Sequence, residues 1–325
     1  MPLHLLTRIL VIGLILLTWP ATVGAGARLD ALAADGLLLE DVEASHLWPG
    51  SLADHDSGAL IGGWLARDGR DERLHDGGVN WDLRYDLAED WRGRVAQAHH
   101  ADSGPRGLDL GAQLGWRNDR LGVGLAWHEK DIGEVPDTTE LTTFSTGLRL
   151  AANQRTVVDL TLEWSRIDGD IPEATWFTGQ RFRLHRTMTS WLTAVGVMER
   201  TRDSDNDELV QRYDFGLLLW PDPDVQILLA WSGTGQDGRR GHGLRFTAEA
   251  RLSSWVSWRT GTLVSWPDDD PSAAPRIRLG LGASLHAGSQ DLNVSWSRNE
   301  EAPAPGLAGH GAVDSRLRLE IARWF

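Results

Sequence analysis

From about residue 58 to its end, the chain alternates apolar and polar side chains in runs of about ten residues, each run closed by a polar break. A period of two puts successive side chains on opposite faces of an extended chain, so the pattern predicts strands whose two faces meet different surroundings. In VNWDLRYDL, for example, Val79, Trp81, Leu83, Tyr85 and Leu87 oppose Asn80, Asp82, Arg84 and Asp86. In RIRLGLGASLH, Ile277, Leu279, Leu281, Ala283 and Leu285 oppose Arg276, Arg278, Ser284 and His286. Sixteen runs are counted, at about 58–66, 78–87, 91–99, 107–116, 120–128, 141–151, 155–165, 175–186, 189–199, 209–220, 224–232, 242–251, 254–266, 275–286, 290–298 and 315–325. The alternation is weakest at 58–66, 91–99 and 189–199, so it allows fourteen to eighteen strands.

The breaks carry as much information as the runs. RNDR (117–120), ANQR (152–155), HRT (185–187), PDPD (221–224) and AGSQ (287–290) have the composition of tight turns, and positions 89–90 and 252–254 fit the same class. Between them stand longer polar breaks: HADSGPRG, KDIGEVPDTTE, IDGDIPEA, TRDSDNDE, GTGQDGRRG, PDDDPSAAP and NEEAPAPGLAGHGAVD. Short and long breaks alternate from residue 87 onward, which is the plan of an antiparallel meander with its turns at one end and its loops at the other. Tryptophan, present 17 times against 2 tyrosines, follows that plan. Trp127, Trp164, Trp231, Trp266 and Trp296 fall near the long breaks, while Trp116, Trp220, Trp255 and Phe325 fall near the short ones. Two aromatic girdles mark the two interfaces of a lipid-embedded barrel, an arrangement that a soluble sandwich does not predict.

The remaining composition narrows the setting. Residues 1–27 have the form of a secretory signal peptide: Arg8 ahead of the apolar run Ile9–Leu17, then Ala25-Gly26-Ala27 as a small-residue cleavage site. That run is shorter than the roughly 20 residues of a spanning helix, and Pro20 follows closely. With no cysteine, neither a disulfide nor a thiolate metal site can form. A net charge of −14 argues against nucleic acid as a partner.

The signal peptide, the hairpin rhythm of 58–325 and the aromatic last strand together resemble bacterial outer-membrane β-barrel proteins of the porin-like class. The resemblance implies a single transmembrane, antiparallel up-and-down β-barrel of about sixteen strands in the outer membrane. It implies contact with outer-membrane lipid and lipopolysaccharide, and delivery by the barrel assembly machinery. In that family the last strand is the assembly signal; Leu317, Leu319, Ile321 and Phe325 match its pattern, and Arg323 departs from it. Arg323 at a membrane rim could extend its guanidinium to headgroups or water.

If the apolar faces meet lipid, the opposite faces line a lumen. The expected lining is Asp82, Arg84, Asp86, Asp159, Glu163, Arg181, Arg183, His185, Arg245, Glu249, Arg251, Arg276, Arg278, Asp291, Asn293, Arg318 and Glu320. A ring of about sixteen strands is too wide for side chains to fill. Facing rows of guanidinium and carboxylate would select among charged or hydroxyl-rich solutes, or pair across strands to hold a wet wall together. Residues 28–57 differ in kind. RLDALAADGLLLEDVEASHLW has partly helical spacing and is followed by the turn-rich PGSLADHDSGA. The expectation is a periplasmic leader, with a plug of the lumen or a dock for a periplasmic partner as alternatives.

Signals for other chemistry are weak. Asp203, Asp205 and Asp207 begin like a calcium loop, but Glu208 stands where the sharp turn needs glycine, and Asp268–Asp270 reads as solvated loop charge. His99, His100, His128, His242 and His310 could reach the outer rim, yet none lies in a nucleophile motif. We expect no catalytic activity, metal or cofactor. The function expected is a porin-like channel for small hydrophilic or charged solutes, with an exit barrel for exopolysaccharide working beside periplasmic partners as the alternative.

Overall fold

A computed structural model describes residues 38, 47–54, 59–69, 78–88, 90–99, 108–131, 140–168, 175–203, 209–236, 239–267, 275–301 and 313–324. It contains sixteen antiparallel strands: β1 (Ala59–Gly69), β2 (Gly78–Ala88), β3 (Trp91–His99), β4 (Leu108–Arg117), β5 (Leu121–Asp131), β6 (Glu140–Asn153), β7 (Thr156–Asp168) and β8 (Thr175–Thr189). The second half comprises β9 (Leu192–Asp203), β10 (Leu209–Asp222), β11 (Val225–Gln236), β12 (Arg239–Ser253), β13 (Val256–Pro267), β14 (Arg276–Ala287), β15 (Gln290–Glu301) and β16 (Val313–Trp324). Each strand pairs with its neighbours in sequence, and β1 pairs with β16 to close the barrel. The closing register runs from Ala59 opposite Trp324 to Gly69 opposite Asp314. No exposed sheet edge remains to be satisfied in lipid.

Ten of the sixteen strands run one to four residues further toward the long-break end than the alternation suggests. The difference is greatest between β11 and β12, where the expected long break GTGQDGRRG shrinks to positions 237–238 because Gln236 and Arg239 are already paired. The turn expected at HRT (185–187) is also corrected. These residues belong to β8, and the chain turns at 190–191 instead. Local turn chemistry misleads here because a cross-strand partner is available for each backbone group of 185–187.

Apart from positions 237–238, the short breaks occupy one end. Five of the strands that lead into them slip register by a residue just before the turn, as at Leu219/Asp222 and Arg251/Ser253. Between β14 and β15 the turn needs no slip, because Gly288 takes a φ of 63° that a two-residue hairpin demands.

Alternation sorts the side chains into two environments. Leu125, Leu148, Leu160, Phe215, Leu229, Trp231, Phe246, Leu281, Leu319 and Ile321 are all exposed on the outside. Their intervening neighbours, among them Arg84, Ser145, Asp159, Arg183, Asp214, Arg245, Ser284, Ser295 and Glu320, are buried. Large apolar residues on the exposed surface and charge within is the reverse of a soluble protein, and it requires an apolar solvent outside. Trp164 packs against Phe144 with ring centroids 6.2 Å apart, and Trp176 lies beneath the Arg166 guanidinium at 5.4 Å, near the long-break end. Trp91, Trp191 and Trp255 stand exposed at the short-turn end. Trp220, expected in that girdle, instead faces inward and packs on an internal apolar cluster. Arg323 is exposed on the outer face beside the short-turn rim, and the expected signal residue Phe325 lies outside the described residues. So do the expected signal peptide 1–27, most of 28–57, the acidic run 268–270, Asp205, Asp207, His100 and His310.

Leu281 lies midway along β14 with its side chain on the outer face. Leu281→Arg is expected to destabilise the barrel refolded in phospholipid vesicles by about 2–4 kcal/mol, measured as a shift of the denaturant midpoint.

Candidate functional site

The interior is shaped by residues that precede the first strand. Residues 49–54 form a short 3-10 turn that lies against the inner faces of β3 to β7. Leu38 and Trp48, each 1% exposed, join Val195, Val197, Leu218, Leu228 and Ala230 of β9 to β11 in an apolar cluster. These contacts fall on the side chains that alternate with the exposed apolar set, so the segment sits inside the ring. In a ring of sixteen, β9 lies opposite β1, so Leu38, which packs on β10 and β11, and Ala59, which opens β1, stand on opposite sides of the bore.

The wall is built to receive this strap. Gly122 and Gly124 of β5 and Gly147 of β6 lie on the inner face, with Gly124 paired to Gly147. A side chain at Gly124 would collide with the Pro49 carbonyl, and a methyl at Gly147 would lie 2.6 Å from the Gly50 nitrogen. The missing side chains are therefore what lets the two backbones meet. Thr161 Oγ1 on β7 donates to the Leu47 carbonyl at 3.1 Å. The strap also braces itself, Ser51 Oγ donating to the Trp48 carbonyl at 2.8 Å.

Trp48 is held by charge as well as by packing. The Arg183 guanidinium lies 4.4 Å from the centre of its ring. A desolvated cation over an indole is among the stronger contacts of this kind, about 2 kcal/mol. Arg183 is itself fixed through Nε and Nη2, which donate to Asp159 Oδ2 at 2.8 and 2.7 Å. Arg149 Nη1 reaches the other carboxylate oxygen at 3.1 Å. The register explains the row: Arg149 is paired with Asp159, and Asp159 with Arg183, on three successive strands. Two residues nearer the long-break end of β8, Arg181 bridges Glu163 at 2.7 Å and Glu199 at 2.6 Å.

A second network runs along the wall from β12 to β16. Arg259 Nε donates to Glu249 at 2.7 Å, and its Nη1 donates to Ser284 Oγ at 2.6 Å. Ser284 donates to the Asn293 carbonyl oxygen, and Asn293 Nδ2 donates to Glu320 at 3.0 Å. Near the short turns Ser257 Oγ lies 2.9 Å from His286 Nε2, and His286 Nδ1 lies 2.8 Å from Asp291 Oδ1.

The structure thus gathers Asp159, Glu163, Arg181 and Arg183 beside the strap, and Glu249, Asn293 and Glu320 in the second network. Arg84, Arg245 and His185 are buried on the inner face, Arg278 and Arg318 are half-buried there, and Arg251 and Arg276 are more exposed. Asp86 pairs with Arg92 at 2.9 Å near the first short turn, and the side chain of Asp82 lies outside the described residues. Alternation should also have found Arg149, which stands between Leu148 and Leu150, and Ser257 and Arg259, which alternate with Val256 and Trp258; it places His286 on the polar face but does not say that it meets Ser257. Trp48 and the glycines that receive the strap were missed because their pairing is a property of the closed ring.

No known family model and no curated protein matches the sequence. Solved structures do. A bacterial polysaccharide outer membrane secretin aligns with 83% of this chain and 98% of its own at 14% identity, with a TM-score of 0.58. CdiB from Escherichia coli aligns with 81% of this chain and 62% of its own at 14% identity, with a TM-score of 0.57. The TodX deltaS2S3 mutant monoaromatic hydrocarbon channel aligns with 93% and 98% at 9% identity, with a TM-score of 0.54. At these identities the likeness is one of fold, and it agrees with the closed ring and the apolar exterior described above. Over its described residues the chain has the closed sixteen-stranded β-barrel fold that bacterial outer-membrane proteins share.

Proposed function

We propose that this barrel is a gated channel for hydrophilic solutes, closed by the pre-strand strap that carries Leu38 and residues 47–54. The observation that carries the reading is the described part of the strap seated inside a ring of charged walls, on glycines whose missing side chains give its backbone room. A permanently filled barrel needs no such arrangement; it could fill its interior with large side chains from its own strands. Here the contact is made by a pre-strand segment tied to the wall through a few separable points: Trp48 on Arg183, Thr161 on the Leu47 carbonyl, and Pro49–Gly50 on Gly122, Gly124 and Gly147. Such a segment can leave without disturbing the sheet. A periplasmic partner that took hold of residues 28–47 would supply the energy to withdraw it. The solutes admitted would meet rows in which guanidinium and carboxylate alternate, which favours polar and charged molecules over apolar ones.

A second reading is export of a polysaccharide through the same bore. Hydroxyl, amide and carboxylate groups linked in one row from Glu249 to Glu320 form a surface suited to sliding sugar hydroxyls. The likeness in fold to a polysaccharide secretin fits that reading.

Single-channel recording in planar bilayers tests both. The intact barrel is expected to be closed or weakly conducting, and removal of residues 28–54 should open steps several-fold larger. If the shortened barrel stays silent, the channel reading fails. Gly124→Val, which excludes the strap from its floor, should raise conductance in the same direction while the barrel keeps its heat-modifiable gel mobility. Trp48→Ala should raise the open fraction, and Arg183→Ala should do the same by removing the cation that holds the indole. Under polymer export, oligosaccharide chains added at the short-turn side should block the opened current more strongly than the constituent sugar.

A further inference from the structure

We propose that Ser257, His286 and Asp291 form a hydrolytic triad on the inner wall of the barrel, acting on short-chain esters that enter from the short-turn mouth. The three residues come from three adjacent strands, β13, β14 and β15, and all point inward. Asp291 is the direct cross-strand partner of His286, and Ser257 is paired with Ser284, two residues before His286 on the same face. The backbones are fixed by two hairpins at the same level, tied together where the His286 amide donates to the Trp255 carbonyl at 2.9 Å.

The hydrogen bonds set the tautomer. An ionised carboxylate only accepts, so the contact of Asp291 Oδ1 with His286 Nδ1 at 2.8 Å requires the proton to sit on Nδ1. In the neutral imidazole Nε2 then carries the lone pair, and at 2.9 Å from Ser257 Oγ it is placed to accept the hydroxyl proton. That is the arrangement in which a histidine serves as general base for a serine, with the carboxylate holding the imidazole in place. The imidazole is 25% exposed, so the base faces the lumen while the serine is held behind it.

A charge stabiliser stands in reach. Arg251 is directly opposite Ser257 in the β12–β13 register, which places both side chains on one face. Its Nη2 makes a long 3.5 Å hydrogen bond to the Ser254 carbonyl, an interaction readily exchanged for a developing oxyanion. The reaction balances with water as the co-reactant. Ser257 Oγ bonds to the ester carbonyl carbon while its proton passes to His286 Nε2. The carbon–oxygen bond to the alcohol then breaks, and the departing oxygen takes that proton. Water repeats the sequence on the acyl-serine, releasing the carboxylic acid and restoring Ser257.

The surroundings set the substrate class. Around the triad the inner wall carries Arg251, Arg259, Ser284 and Asn293, and the apolar side chains of the same strands face the other way. Acetyl-sized acyl groups on a hydroxylated alcohol fit such a wall, whereas long acyl chains have no apolar pocket there among the described residues. The proposal does not depend on what the channel conducts.

The test uses the full-length barrel refolded in detergent, with heat-modifiable mobility as the control for folding. A fluorophosphonate probe is expected to label the wild type at Ser257, and Ser257→Ala should abolish the label. Hydrolysis of p-nitrophenyl acetate should fall at least about 1,000-fold in Ser257→Ala and His286→Ala, and about 100- to 10,000-fold in Asp291→Asn. Ser297→Ala, on the same wall away from the triad, should leave the rate unchanged. p-Nitrophenyl palmitate should be a far poorer substrate than the acetate. The proposal is overturned if the folded wild type takes up no label, or if it hydrolyses p-nitrophenyl acetate no faster than folded Ser257→Ala.

Discussion

In a lipid core every backbone N–H and C=O needs a partner within the protein, because neither water nor headgroups reach it. The rest of the structure follows from that demand. It forces the last strand onto the first, Trp324 against Ala59 and Asp314 against Gly69, so that the ring has no edge. It also explains why strands outrun their sequence signals. At Gln236 and Arg239, and again along 185–189, the cross-strand partner decides where the strand stops, and residues that would favour a turn in isolation remain extended.

Closure creates an interior, and the interior poses an electrostatic problem. Sixteen strands alternating outward apolar residues with inward polar ones bring many charges into one space. Register solves it locally: Arg149, Asp159 and Arg183 meet because they are neighbours across strands, as do Glu249 and Arg259, or His286 and Asp291. Breaking the buried Asp159–Arg183 pair from one side leaves a stranded charge, a loss of about 3–5 kcal/mol. The wall from β12 to β16 therefore holds together through its own side chains. The wall from β3 to β11 holds the strap, partly through Arg183, which is shared between the ion row and the Trp48 ring.

Much of this was legible in advance. The sixteen runs, the alternation of short and long breaks, the apolar exterior and most inward charges follow from a period of two. Trp220 shows the limit of that reasoning: near a short turn it resembled a girdle residue, but its position in the alternation sends it inward to the cluster around Leu38 and Trp48. For residues 28–57 a periplasmic leader was expected before a plug. The described part of that segment lies inside the ring, because Leu47, Trp48 and Leu38 bury apolar surface there that would otherwise face water.

The sequence by itself determined which side chains share a face and where the chain must reverse, since both depend on neighbours one to four residues apart. It also carried the net acidity and the absence of thiols, which narrow the chemistry available. Only the tertiary structure decided which inward residues meet. Gly124 and Gly147, Trp48 and Arg183, and Ser257 and His286 are separated by stretches of chain that leave no local trace of their contact, whereas His286 and Asp291 flank the predicted AGSQ turn. Their proximity is set by the hydrogen-bond register of neighbouring strands and by the closure of the ring, and a one-residue slip would have dissolved each of them.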